Sequence, residues 1–152
     1  MPIYLFDTSA LAKHYHPEIG TAEVDRILKE QTSRFFISRL SAVEIQSVFA
    51  GKARNQIITL AELRKLQKRF ALDLSSRRFR VLKIFPRHYR EAEQLIKKHA
   101  PTKSFRTLDA LLLSFALELK KKNALDYFVC ADNQFCVIAN NEGLPVLNPE
   151  IV

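Results

Sequence analysis

The sequence has few cysteines and no membrane-length apolar run, and these absences exclude several classes of protein. Its 152 residues contain two cysteines, Cys130 and Cys136, without CxxC spacing and without a histidine cluster. Neither a disulfide framework nor a zinc site is therefore supported, and reduced thiols in a cytoplasmic protein are expected. No apolar run approaches the ~20 residues of a membrane span. Asp7 and Lys13 interrupt the first apolar run, so no signal peptide is expected.

The chain also lacks internal repeats, linkers and low-complexity segments. Its length suits one domain, so residues 1–152 are predicted to form a single unit. A domain of this size buries roughly 68–70% of its unfolded surface, which is enough for a core without disulfides.

The charge is positive and unevenly distributed. The chain has 24 Lys and Arg against 16 Asp and Glu, a net charge of +8. Residues 52–122 carry 19 basic and 6 acidic side chains, and the remainder carries 5 basic and 10 acidic ones. A basic middle favours a polyanionic partner, with nucleic acid ahead of membrane, although single Lys runs are more simply solvated helix faces.

Strand and helix patterns alternate along the chain, which predicts a parallel sheet with right-handed crossovers. The expected fold is a three-layer α/β/α sandwich with a mostly parallel sheet of about five strands. Two successive helices between residues 39 and 74 are expected to form a protruding hairpin. The predicted strands are 3–6, 35–37, 80–85, 127–130 and 145–147, and the predicted helices are 8–16, 20–29, 39–53, 59–74, 86–99, 107–122 and 131–141.

Four acids are placed by this pattern near one edge of the sheet. Asp7 follows the apolar run 3–6, and Asp132 follows the apolar run 127–130. Parallel strands share their carboxyl ends, where open α/β sheets bind ligands. Glu44 lies early in the helix that enters from the same edge, and Asp109 lies in the first turn of the helix at 107–122.

Each acid also has a purely structural interpretation. Asp7 and Asp132 could cap the helices that follow them. Ser41-Ala42-Val43-Glu44 matches a capping box, and Asp109 could favour its helix N-terminus. Against the capping box, Glu44 lies in the row Leu40, Glu44, Val48, which is otherwise apolar.

Four acids at one ligand-binding edge are less expected by coincidence. Clustered carboxylates repel one another unless protons or cations offset their charge. Hard divalent cations take oxygen ligands, and no His or Cys set is present to favour zinc. The four histidines are scattered and are assigned to surface or packing roles.

The chain resembles the PIN-domain ribonucleases, and within them the VapC-type toxins of toxin–antitoxin pairs. The resemblance spans nearly the whole chain. It is carried by Phe6-Asp7-Thr8-Ser9-Ala10-Leu11, Ser41-Ala42-Val43-Glu44, Leu108-Asp109-Ala110-Leu111-Leu112 and Val129-Cys130-Ala131-Asp132. The opening motif with the later acids at this spacing is fairly specific, whereas each piece alone is weak. The sequence departs from the family at Cys130, where Ser or Thr is frequent.

The resemblance implies a catalytic, metal-binding quartet of Asp7, Glu44, Asp109 and Asp132. Mg²⁺ or Mn²⁺ would be the cofactor, and Thr8 and Ser9 could orient a metal-bound water. It further implies an RNA substrate, a cognate antitoxin protein, a homodimer and a cytoplasmic location without membrane attachment. The basic side chains considered for RNA binding are Arg64, Lys65, Lys68, Arg69 and Arg106.

Two other functions compete with the nuclease hypothesis. A phosphatase or phosphotransferase could use Asp7 as its nucleophile, as in the haloacid dehalogenase type. That type requires a second Asp two residues later, and Ser9 occupies this position. A non-catalytic nucleic-acid-binding α/β domain would explain the charge but not the gathering of four acids.

Overall fold

A computed structural model of the chain describes residues 1–151, within which there are five strands, each connected to the next by one or two of seven helices. None of these helices is long and apolar enough to cross a membrane. In chain order the elements are β1 (Ile3–Phe6), α1 (Thr8–Tyr15), α2 (Thr21–Leu28), β2 (Arg34–Ser38), α3 (Arg39–Arg54), α4 (Leu60–Ser75), β3 (Arg80–Leu82), α5 (Pro86–His99), α6 (Thr107–Lys121), β4 (Tyr127–Val129), α7 (Asn133–Asn141) and β5 (Val146–Leu147).

The five strands form one sheet in the order β3-β2-β1-β4-β5, and all four neighbouring pairs are parallel. The chain runs outward from β1 to β3 and then crosses back to β4, so the strand order reverses between β1 and β4. Phe6 pairs with Val129 across this junction, and the Asp7 N–H donates to the Val129 carbonyl at 2.9 Å. Parallel sheets bind ligands at such a switch point.

Each side of the sheet carries its own apolar core, which confirms the predicted three-layer architecture. Tyr4 and Phe6 of β1 pack with α1–α4, whereas Leu5 packs with α5–α7. Side chains alternate between the two faces of a strand, and here both faces are covered. This burial explains why Ile3–Phe6 is a continuous apolar run rather than an alternating one.

Helices α3 and α4 form a hairpin, but the hairpin packs on the domain rather than protruding from it. Phe49 of α3 and Phe70 of α4 are buried and make edge-on contacts with the ring of Tyr15. The Tyr15 hydroxyl also donates to Asp73 at 2.6 Å. The end of α1 therefore anchors both helices of the hairpin.

Two predicted boundaries are wrong by a few residues. The strand predicted at 80–85 ends at Leu82, because only Arg80, Val81 and Leu82 pair with β2. Phe85 is instead the residue before α5, and its ring is partly exposed. The helix predicted from Ala131 begins at Asn133.

Replacing Phe49 with Ala tests whether the hairpin is part of the core. The side chain is fully buried, so we expect a loss of about 3–5 kcal/mol in the free energy of unfolding. Leu72→Ala on α4 is the matched control, because Leu72 is exposed and its loss should cost within about 0.5 kcal/mol. Urea unfolding of both variants measures this, and equal small losses would contradict the packing described.

Candidate active site

Asp7 lies at the carboxyl end of β1 and is nearly buried, with 6% of its surface exposed. It occupies the position before α1, yet its side chain makes no capping hydrogen bond. Its Oδ2 accepts a hydrogen bond from the Ser9 hydroxyl at 2.6 Å. The helix-cap interpretation of Asp7 is therefore wrong, and its carboxylate is free for another role.

Ser9 connects the two strands of the switch point. Its hydroxyl donates to Asp7 and accepts from the Ala131 N–H at 3.1 Å. Thr8 lies beside it, and its Oγ1 is buried without a partner among residues 1–151. Ser9 therefore fixes one carboxylate oxygen of Asp7, while Thr8 offers an unpaired hydroxyl.

Cys130 stands where the resembled family often has Ser or Thr, and its thiol faces Asp7. The Sγ donates to Asp7 Oδ2 at 3.6 Å and to the Asp132 carbonyl at 3.7 Å. The Cys136 thiol donates to the Cys130 carbonyl at 3.2 Å, and both cysteines are free and buried. The adjacent Cys136 thiol, burial and the Asp7 carboxylate raise the pKa of Cys130, so the residue stays a neutral thiol and a weak donor.

Glu44 lies in the second turn of α3 and is half-buried. The capping box suggested for Ser41 and Glu44 does not form, because Ser38 is the cap and accepts from the Ser41 N–H at 3.0 Å. Glu44 therefore has no part in starting the helix.

Asp109 and Asp132 do take part in starting their helices. Asp109 Oδ2 accepts from the Arg106 N–H at 3.3 Å, at the beginning of α6. Asp132 Oδ1 accepts from the Phe135 N–H at 3.1 Å, at the beginning of α7. Each of these bonds uses one carboxylate oxygen, so the capping role leaves the other oxygen available.

All four acids line one cavity of about 310 Å³. Thr8 and Ser9 lie in its wall, as expected. Two further wall residues, Ser47 and Val48, were not singled out as site residues, although they lie three and four positions after Glu44 on the same helix face. The lining residues are Asp7, Thr8, Ser9, Glu44, Ser47, Val48, Arg106, Asp109 and Asp132.

The acids influence one another electrostatically. Burial, together with the charges of Glu44 and Asp109, raises the pKa of Asp7 to about 6, and the Ser9 hydrogen bond opposes this rise. Burial also raises the pKa of Asp109, with Asp132 and Glu44 adding to it and Arg106 opposing it. The cavity therefore favours protons or other cations.

The donor set fits a hard divalent cation better than a soft one, since it consists of carboxylates and hydroxyls. Within residues 1–151, no group of three or more His, Cys, Asp or Glu side chains lies close enough together to hold a metal ion. This spacing still fits Mg²⁺, which keeps several waters and commonly uses one or two carboxylates. Thr8 Oγ1, buried without a partner among residues 1–151, is a further oxygen in the wall of the cavity.

The basic side chains considered for RNA binding fall into two places. Arg106 lies at the acidic cavity. The four on α4 (Arg64, Lys65, Lys68 and Arg69) are exposed. Arg69 donates to the carbonyls of Tyr15 and His14 at 3.1 and 3.3 Å, so it neutralises the end of α1. That end lies about 10 Å along α1 from Asp7.

Comparisons with known proteins agree with this architecture. A model of the PIN domain matches residues 4–141. Among solved structures, VapC20 of Mycobacterium tuberculosis, described as a Sarcin-Ricin loop cleaving toxin, superposes with a TM-score of 0.67 at 15% identity over 93% of this chain and 95% of its own.

Two further solved structures, from other bacteria, are also similar. FitAcB from Neisseria gonorrhoeae gives a TM-score of 0.66 at 18% identity over 98% of this chain and 99% of its own. VapBC2 from Rickettsia felis, bound to a fragment of promoter DNA, gives a TM-score of 0.63 at 18% identity over 96% of this chain and 98% of its own. At these identities the likeness concerns the fold. No curated protein matches the chain.

The raised pKa of Asp7 predicts an unusual pH dependence of stability without metal. Between about pH 4 and pH 6 the folded protein binds more protons at Asp7 than the unfolded chain does, so stability falls as pH rises. Relative to Asp7→Asn, the free energy of unfolding of wild type should fall by on the order of 3 kcal/mol between pH 4 and pH 7. Urea unfolding in EDTA across this range measures the difference.

Glu93→Gln is the control for this experiment, because Glu93 is an exposed acid outside the cavity. Its stability curve should run parallel to that of wild type. If the Asp7→Asn curve also runs parallel to wild type, folding does not raise the pKa of Asp7.

Proposed function

Since the chain belongs to the PIN domain family, we propose that it is a divalent-metal-dependent endoribonuclease acting as the toxin of a toxin–antitoxin pair. The observation that carries the proposal is the gathering of Asp7, Glu44, Asp109 and Asp132 around one cavity at the switch point of the sheet. The RNA-cleaving activity named for VapC20 supports the same reaction class.

Asp7 and Asp109 would hold the metal, with Glu44 and Asp132 completing the site directly or through water. Mg²⁺ or Mn²⁺ suits this oxygen donor set. When bound, such a cation lowers the pKa of a bound water and offsets charge on the scissile phosphate. Ser9 holds the Asp7 carboxylate in one orientation through its 2.6 Å hydrogen bond.

The remaining residues of the cavity would handle the substrate and the proton. Glu44 takes no part in starting α3 and lines the cavity, so its carboxylate is available to accept a proton from the attacking water. Arg106 is exposed at the edge of the cavity and would bind a backbone phosphate. The exposed Lys and Arg side chains of α4 would bind further phosphates along the RNA strand.

The two competing functions explain fewer of these contacts. A nucleophilic Asp7 of the haloacid dehalogenase type would need an acid two residues later, but Ser9 occupies that position and donates to Asp7. A purely binding domain leaves unexplained why four carboxylates surround one cavity, in which burial and the charges of Glu44 and Asp109 raise the pKa of Asp7.

The proposed partners are a cognate antitoxin, a second copy of the chain and RNA in the cytoplasm. Structural neighbours include toxin–antitoxin complexes such as that from Klebsiella pneumoniae. An acidic cavity would accommodate an arginine of an antitoxin, because a guanidinium pairs well with carboxylates. Val43, Tyr89 and Leu108 are exposed apolar side chains that could pack against an antitoxin or a second copy of the chain.

The purified protein should cut single-stranded or looped RNA only with Mg²⁺ or Mn²⁺ present. A metal-activated water should leave a 5′-phosphate and a 3′-hydroxyl, which labelling and sequencing of the product ends would identify. Asp7→Asn and Asp109→Asn should each lose at least about 100-fold in kcat, whereas Glu93→Gln should not. Products with 2′,3′-cyclic phosphate would contradict the proposed hydrolysis.

RNA binding should weaken as salt rises, because Lys and Arg contacts to phosphate release counterions. Replacing Arg64, Lys65 and Lys68 with Gln tests the exposed face of α4 without touching Arg69, which stabilises α1. Each lost phosphate contact should lower the salt slope by about 0.7. An unchanged slope would mean that this face of α4 is solvated surface only.

A further inference from the structure

We propose that the Arg106 guanidinium neutralises part of the acidic cavity when no metal is bound. When a divalent cation binds, Arg106 moves away from Asp109 and binds an RNA phosphate instead. This inference rests on the function proposed above. It adds a role for a residue that lies outside the acidic quartet and that contacts the quartet directly.

Arg106 lies where it can contact either Asp109 or an RNA phosphate outside the cavity. It immediately precedes α6, and its side chain is 79% exposed, whereas that of Asp109 is 16% exposed. The guanidinium Nε lies 4.0 Å from Asp109 Oδ2. Of the nine described residues that line the cavity, Arg106 alone is basic. One exposed cation therefore lines a cavity that holds four carboxylates.

The contact with Asp109 is weak enough to be exchanged. It lies at the outer limit of an ion pair, and an exposed pair of this kind contributes little stability. A divalent cation on Asp109 would repel the guanidinium while removing the negative charge that attracts it. A guanidinium donates two parallel hydrogen bonds to a phosphate, so an RNA backbone beside the cavity is the better partner once metal is bound.

The structure separates this side-chain role from folding. The Arg106 backbone N–H, not the side chain, donates to Asp109 at the start of α6. Any residue other than proline at position 106 keeps that bond. Substitutions of the side chain should therefore leave the helix start intact and report on the cavity.

The first measurement is metal affinity without RNA. Titration calorimetry with Mn²⁺ compares wild type with Arg106→Gln, Arg106→Lys and the control Arg90→Gln, which removes one exposed charge outside the cavity. Arg106→Gln should bind Mn²⁺ about two- to fivefold more tightly, because the competitor for Asp109 is gone. Arg106→Lys and Arg90→Gln should stay close to wild type.

The second measurement is RNA affinity with and without metal, using a fluorescein-labelled ten-nucleotide oligouridine. In EDTA, fluorescence anisotropy should give similar affinities for wild type and Arg106→Gln, since the uncompensated carboxylates then attract Arg106 and repel the RNA backbone. With Mn²⁺, the KM for cleavage of the same strand should rise about tenfold in Arg106→Gln. The change in kcat should be smaller, and Arg106→Lys should recover part of the loss.

Tighter Mn²⁺ binding together with a metal-dependent loss of RNA affinity supports the exchange. Unchanged or weaker Mn²⁺ binding by Arg106→Gln overturns it, because Arg106 then does not compete for Asp109. A loss of RNA affinity already present in EDTA also overturns it. These outcomes differ from failure of the proposed function, in which wild type itself neither binds Mn²⁺ nor cleaves RNA.

Discussion

The repulsion between four carboxylates at one edge of the sheet is the constraint on which the site depends. The strand order β3-β2-β1-β4-β5 makes β1 and β4 neighbours and so brings Asp7 and Asp132 together. The helices after β2 and before β4 add Glu44 and Asp109 to the same cavity. Burial, together with the charges of the neighbouring carboxylates, raises the pKa of Asp7 and of Asp109, which is a cost to folding.

The chain offsets this cost through contacts that leave the cavity open. Ser9 donates to one oxygen of Asp7, and backbone N–H groups at the starts of α6 and α7 each donate to one oxygen of Asp109 and Asp132. Arg106 supplies a positive charge from the exposed side. Each device leaves carboxylate oxygen atoms available to a cation, and the shared cavity brings those oxygens together.

Much of the fold was predictable because the periodic signals were strong. The apolar run Ile3–Phe6 indicated a strand buried on both faces, and the sheet covers it on both sides. Strand order was not predictable from periodicity, since nothing local places β4 beside β1. The contact between Cys130 and Asp7 depends on that same tertiary arrangement. The start of α3 was predictable, since the helix expected at 39–53 begins at Arg39 with Ser38 as its cap.

The central claim is that the four acids form a metal site, and thermal melting across a Mg²⁺ series tests it without any substrate. A cation that binds only the folded protein stabilises it by mass action. Wild type should therefore melt at progressively higher temperature as Mg²⁺ rises through the millimolar range. Asp7→Asn should melt at or above wild type in EDTA and lose most of the Mg²⁺-dependent gain. If wild type shows no Mg²⁺-dependent shift and Asp7→Asn behaves identically, the acids do not form a metal site and the nuclease mechanism is wrong.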